Sequence, residues 1–174
     1  MLTADEIKSL CDQNKLFKVI PNDWRAPIER SIYVSPDLHN FLRGPSSGES
    51  QDRYRSKLQR LFDRFISGQA ITVAFAPHLM GTEIKRLSPR AREVWEFKIR
   101  DKRRPQLRVF GRFADAKIFF ALTGPEIRQN CHYPAEINLC EDYWRKLAPG
   151  KTPVYGRTLR DYFGSTKILS RGNP

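Results

Sequence analysis

Two stretches of alternating residues hold the most chemically suggestive groups of this chain. In Val94-Trp95-Glu96-Phe97-Lys98-Ile99-Arg100 the polar positions are Glu96, Lys98 and Arg100; in Leu107-Arg108-Val109-Phe110-Gly111-Arg112-Phe113 they are Arg108 and Arg112. Strict alternation marks half-buried strands, with apolar residues on one face and polar residues on the other. The polar stretch Asp101-Lys102-Arg103-Arg104-Pro105-Gln106 between them reads as a hairpin connection. Side chains that share a face sit close across an antiparallel pair, so four cations and a single carboxylate are expected to cluster. Like charges facing one another cost stability unless an anion joins them. Arginine offers phosphate a fork of donors. A lysine set among cations has a lowered pKa and, if lowered far enough, can act as a general base at neutral pH. The pattern therefore points to phosphate recognition, with a solvated sheet face or a groove for an acidic peptide as the alternatives.

Other chemistries find little support. No Gly-rich phosphate loop, HExxH or GxSxG occurs. Cys131, Cys140, His78 and His132 fit no usual zinc spacing, so neither a metal nor a cofactor is expected. Three cysteines, Cys11, Cys131 and Cys140, are too few and too odd for a disulfide framework.

The charge is unevenly distributed. The 174 residues carry 31 Lys+Arg against 19 Asp+Glu, a formal net charge of +12. Residues 1–50 hold six basic and seven acidic residues, so the remainder carries +13; Lys85 to Arg112 alone holds eleven basic against three acidic residues. A concentrated positive field attracts polyanions, most often nucleic acid. With 40% hydrophobic and 11% aromatic residues the chain has too much core material for a disordered polycation. No run approaches the roughly 18 apolar residues of a membrane span. The acidic start, Met1-Leu2-Thr3-Ala4-Asp5-Glu6, does not resemble a secretory signal. The expectation is a soluble, cytoplasmic protein without a membrane partner.

The elements that must position these groups follow from periodicity. Thr3 and Glu6 have capping-box spacing ahead of Ile7, Leu10 and Cys11. Arg43-Gly44-Pro45-Ser46-Ser47-Gly48-Glu49-Ser50 reads as a linker. Tyr54, Leu58, Leu61, Phe62, Phe65 and Ile66 form the apolar stripe of a helix closed by Gly68, with Arg53, Arg55, Lys57, Arg60, Asp63 and Arg64 on most of its other face. Ile118-Phe119-Phe120-Ala121-Leu122 is a third, interior strand that completes an antiparallel meander. Further on, Leu139, Tyr143, Trp144 and Leu147 have helical spacing, and Thr158 to Phe163 suggests a short helix. The expected organisation is an accessory extension at 1–50, a core at 51–133 and a second extension at 134–174 packed on that core.

Within residues 51 to about 133 the order of features resembles the RelE/ParE toxin superfamily, in particular its HigB-like, phage-derived branch. The resemblance rests on the basic helix ending at Gly68, Pro77-His78-Leu79-Met80, Ile84-Lys85-Arg86-Leu87, the Trp95-Glu96-Phe97-Lys98 strand, Leu107-Arg108-Val109-Phe110, and the apolar run 118–122. It implies an α+β fold of helices packed on a small twisted antiparallel sheet. It also implies a metal-independent endoribonuclease acting on mRNA, on the ribosome in many members, and neutralised by a cognate antitoxin. By position it makes Lys98 the base or charge stabiliser, Arg108 the residue that holds the scissile phosphate, and Arg128 the group that stabilises charge or protonates the leaving oxygen. Tyr133 or His132 would then stack or donate a proton nearby. Lys85, Arg86, Arg100, Arg103, Arg104, Arg112 and His132 are the expected RNA-binding residues. Pro125 and Glu126 stand where the family often carries extra cations. The rival reading is a non-catalytic module that binds nucleic acid or an acidic protein, as a gyrase inhibitor or a degenerate toxin homologue would.

Overall fold

The computed structural model describes residues 1–45, 48–75, 81–100, 106–128, 132–164 and 168–170, with 126–128 and 168–170 described as backbone alone. Helix α1 (Ala4–Asp12) begins at the expected capping box: the Glu6 N–H donates to Thr3 Oγ1 at 3.2 Å, and the Thr3 N–H donates to Glu6 Oε2 at 2.8 Å. Helix α2 (Pro36–Arg43) is capped by Ser35. Helix α3 (Glu49–Ile66) buries Tyr54, Leu58, Leu61, Phe62, Phe65 and Ile66, the stripe that three- and four-residue spacing places on one face. Helices α4 (Tyr133–Leu147) and α5 (Leu159–Phe163) follow the meander.

The strands are β1 (Phe17–Lys18), β2 (Ser31–Val34), β3 (Ile71–Ala74), β4 (Ile84–Arg86), β5 (Trp95–Ile99), β6 (Gln106–Asp115), β7 (Ile118–Arg128) and β8 (Ile168–Ser170). They form one sheet in the order β1-β2-β7-β6-β5-β4-β3-β8. The β5-β6-β7 meander is antiparallel, with Lys98 opposite Arg108 and Glu96 opposite Phe110. The small antiparallel sheet expected from sequence is therefore wrong: the sheet is large and mixed. β2 pairs parallel with β7, and β3 pairs parallel with both β4 and β8. The outer strands are two to four residues long and find partners distant in sequence, so they carry almost no periodic signal. Strands β1, β2 and β8 and helices α1, α2, α4 and α5, which lie in the chain before α3 and after β7, belong to this same sheet and its two flanking layers.

Both faces of the sheet are covered. On one, α2, α3 and α5 pack Leu38, Phe41, Phe62, Phe65 and Phe163 against Ile32, Trp95, Phe97, Val109, Phe113 and Phe119. On the other, α1 and α4 pack Ile7, Leu10, Ile137, Cys140 and Trp144 against Val94, Phe110, Ala114, Phe120 and Leu122. A buried arginine fastens the first layer. Arg30 Nη1 donates to the Phe65 carbonyl at 3.0 Å and Nε to the Phe163 carbonyl at 3.2 Å, so β2, α3 and α5 share one guanidinium. The second layer covers much of the sheet face that alternation had left to solvent.

Candidate functional site

The polar rungs of β5 and β6 turn inward, toward α4. Glu96 is fully buried, with its carboxylate oxygens 2.9 Å from Arg108 Nε and 3.6 Å from Lys85 Nζ. Tyr133, the first residue of α4, donates its hydroxyl to Glu96 Oε1 at 3.1 Å. The Lys85 ammonium and the Arg108 guanidinium lie 5.1 and 6.0 Å from the Tyr133 ring centroid. Burial, reinforced by the Glu96 charge, pushes the Tyr133 phenol up to about 12. Gln106 Oε1 accepts from Arg108 Nη2 at 2.8 Å. A carboxylate that alternation placed in solvent is thus the centre of an internal ion network, and Arg108 is committed to it.

Two other expected contact residues are likewise turned inward. Arg86, Arg108 and Arg112 are only 5%, 6% and 6% exposed. Arg86 lies 3.7 Å above the Phe75 ring and pairs with Glu93 at 3.2 Å; Glu93 also accepts from the Tyr162 hydroxyl at 2.6 Å. Arg112 donates to the Arg92 carbonyl, lies over Trp144, and comes within 3.9 Å of Glu141, which also pairs with Arg92. Buried guanidinium groups need such partners, because an unpaired buried charge costs several kcal/mol, on the order of 3–5.

The cations that remain accessible gather elsewhere, beside the end of β5. The pairing of β4 with β5 runs from Arg86↔Trp95 to Ile84↔Phe97, and beyond it the Lys98 N–H donates to the Glu83 carbonyl at 2.9 Å. The chain at 81–83 therefore runs beside Lys98, and α3 closes the other side. Between them lies a cavity of about 390 Å³ lined by Lys57, Arg60 and Arg64 of α3, Lys98 and Arg100 of the β5 end, and Glu83, with Leu61 and Ile99 as apolar lining. The one carboxylate among its described lining residues is already engaged. Glu83 pairs with Arg64 and accepts from the Thr72 N–H at 2.9 Å and the Thr72 hydroxyl at 3.2 Å. Although burial opposes it, these partners hold the Glu83 carboxyl below the usual carboxylate range. Lys98 moves the other way for a base. Partial burial lowers its pKa, Arg108, Arg100 and Lys85 add to that effect, and Glu96 works against it. Among the described lining residues five cations thus gather around one paired carboxylate, and Lys98 is the one whose pKa is lowered.

The structure thus brings Lys98 and Arg100 together and places Lys85 just behind them, on Glu96. His132 is exposed at the start of α4. Arg128 closes β7 opposite Gln106, and its side chain lies outside the described residues. Arg103 and Arg104 lie outside them as well, as do His78 and Cys131. Lys57, Arg60 and Arg64 were not among the expected site residues, because the polar side of an amphipathic helix reads as solvated. The available signal was the excess of cations on that side, which Asp63 only partly offsets. Among the described residues no group of three or more His, Cys, Asp or Glu could hold a metal ion, and no helix is long and apolar enough to cross a membrane.

No protein-family model matches the chain, no curated protein matches its sequence, and no solved structure matches its fold at a significant level.

Proposed function

We propose that this protein binds single-stranded RNA through the cleft between α3 and the end of β5, as the toxin of a toxin–antitoxin pair that acts on mRNA. The observation that carries the reading is the ring of Lys57, Arg60, Arg64, Lys98 and Arg100 around one cavity, where Glu83, the one carboxylate among the described lining residues, is paired. Phosphodiesters supply the negative charge that such a ring lacks, and fixed cations in a partly desolvated cleft hold them more tightly than scattered surface charges do. The resemblance of residues 51–133 to the RelE/ParE superfamily favours RNA among the polyanions, and an antitoxin as the protein partner.

A second reading of the same cleft is metal-independent cleavage, and the lowered pKa of Lys98 favours it. In this reading the neutral Lys98 amine takes the proton from a ribose 2′-OH. The freed oxygen attacks the adjacent phosphorus, the bond to the 5′ oxygen breaks, and that oxygen takes a proton from solvent. Arg100 and Arg60 stabilise the charge that builds on the phosphate. Arg108, paired with Glu96, tunes Lys98 instead of touching the phosphate.

Binding is tested with a labelled single-stranded RNA and the double variant Lys98→Ala/Arg100→Ala, which should bind at least tenfold more weakly. Undiminished affinity would refute the cleft as the binding site. Cleavage is tested on the same RNA: fragments ending in a 2′,3′-cyclic phosphate, and growth arrest lost in Lys98→Ala, support it. Intact RNA throughout leaves the binding function alone.

A further inference from the structure

One of the tryptophans is left outside both cores. Of the three tryptophans, Trp95 and Trp144 are 0% and 2% exposed, whereas Trp24 is 80% exposed. A nearly bare indole is uncommon on a folded chain, because tryptophan carries a large apolar surface and is highly buried on average.

The segment that presents it is firmly attached. It runs between β1 and β2 and is fastened to α3 at several points. The Glu29 and Arg30 N–H groups both donate to the Ile66 carbonyl, at 2.8 and 3.1 Å. Asn22 Nδ2 donates to Asp63 Oδ2 at 3.2 Å, and Gln59 Nε2 to the Ile20 carbonyl at 3.4 Å and to Asp63 Oδ1 at 2.7 Å. The Arg25 guanidinium lies 5.0 Å from the centre of the Trp24 ring, and the Arg25 N–H donates to Asp23 Oδ1 at 3.0 Å.

The anchors are adjacent in sequence to the cleft. Gln59 and Asp63 hold the segment, while Arg60 and Arg64, each one position later, line the cavity. Neighbouring positions on an α-helix are about 100° apart around its axis, so the aromatic segment and the cationic cleft flank α3 on adjoining rows. A ring with a guanidinium beside it, next to fixed cations, has the composition of single-strand nucleic-acid sites: cations follow the backbone and an aromatic face takes a base. The exposed Ile20 and Ile28 widen the apolar surface around the ring. A protein partner could use that surface too, but the Arg25 cation beside the ring and the cationic cleft on the adjoining row of α3 favour a polyanion.

We infer that Trp24 is a base-stacking platform that extends the cleft's hold on single-stranded RNA from phosphate to base. The inference rests on the proposed RNA-binding function. It adds a recognition element that tolerates any base, because every base has a π-face.

Tryptophan fluorescence tests it directly, since Trp24 is the tryptophan open to solvent while Trp95 and Trp144 are shielded. Two probes are used, a ten-nucleotide oligouridine and an abasic ribose-phosphate strand of the same length. Oligouridine should protect Trp24 from acrylamide quenching, whereas the abasic strand should bind without protecting it. Trp24→Ala should weaken oligouridine about tenfold and leave the abasic strand unchanged, and Trp24→Phe should recover most of the loss. Equal affinity of Trp24→Ala and wild type for oligouridine, without protection, overturns the platform while the cleft reading stands. Failure of wild type to bind either strand overturns both. Loss of self-association in Trp24→Ala with unchanged RNA affinity assigns the surface to protein contact and overturns the platform.

Discussion

Replacing Glu96 by glutamine would keep the shape of the side chain and remove its charge. The Glu96 carboxylate is fully buried, 2.9 Å from Arg108 Nε and 3.6 Å from Lys85 Nζ, and Arg108 is itself only 6% exposed. The amide still accepts the Tyr133 hydroxyl, so the loss falls on the two cations, and chiefly on Arg108, which cannot shed its proton. Removing one partner of a buried ion pair costs about 3–5 kcal/mol because the other charge stays buried without compensation. For a chain of this length that corresponds to a fall in Tm of about 10 °C. Urea unfolding of Glu96→Gln followed by circular dichroism and tryptophan fluorescence gives the value. The double variant Glu96→Gln/Arg108→Met removes both charges and should recover most of the stability, since paired buried ions are often replaceable by apolar groups of similar volume. It should also bind RNA almost as well as wild type, because Arg108 is held by Glu96 and does not line the cleft. A cost below about 1 kcal/mol for Glu96→Gln, where at least about 3 is expected, would refute the reasoning. So would a double variant no more stable than the single one.

Two further outcomes follow from the lowered pKa of Lys98 and the buried thiol. The folded-state pKa of Lys98 lies below its ordinary 10.5, so between the two values the unfolded chain binds more protons. Stability from this group therefore rises with pH across that window. RNA phosphates favour the charged amine, so RNA affinity should fall as pH rises through the lowered value, and Lys98→Arg should abolish that fall in a titration of Kd against pH. Complete burial pushes the Cys140 thiol up to about 12, so it should resist alkylation in the folded protein at neutral pH and react on unfolding, while the partly accessible Cys11 reacts in both states. Peptide mapping of the labelled cysteines decides this; rapid native labelling of Cys140 would contradict its place between α4 and the sheet.

The parts of this fold that are local in sequence were legible. The stripe from Tyr54 to Ile66 announces α3, and the alternation of Trp95, Phe97 and Ile99 announces β5, because period and partner lie within the same few residues. β2 and β8 were not legible: they are short, and what makes them strands is a parallel neighbour far along the chain. The main misreading concerned Arg108 and Arg112. Their phase in β6 is correct, opposite to Val109 and Phe113, but phase says only which face a residue takes and not what covers that face. α4 supplies the cover with Ile137, Cys140 and Trp144, and Glu96 supplies the counter-charge that makes burial of Arg108 tolerable. Lys98 and Arg100 escape this because β5 outruns β4. The cleft they share with α3 joins residues some forty positions apart, which no local pattern reports.

The dependence of RNA affinity on salt measures the central claim most directly. With Arg64 engaged by Glu83, the phosphate contacts of the cleft are assigned to Arg60, Lys98 and Arg100. For single strands each such contact adds about −0.7 to the slope of log K against log salt, which gives about −2 for wild type. The slope should fall to about −0.7 in Lys98→Ala/Arg100→Ala. A slope near zero, or one that the double substitution leaves unchanged, would contradict the assignment of this cleft as the RNA site.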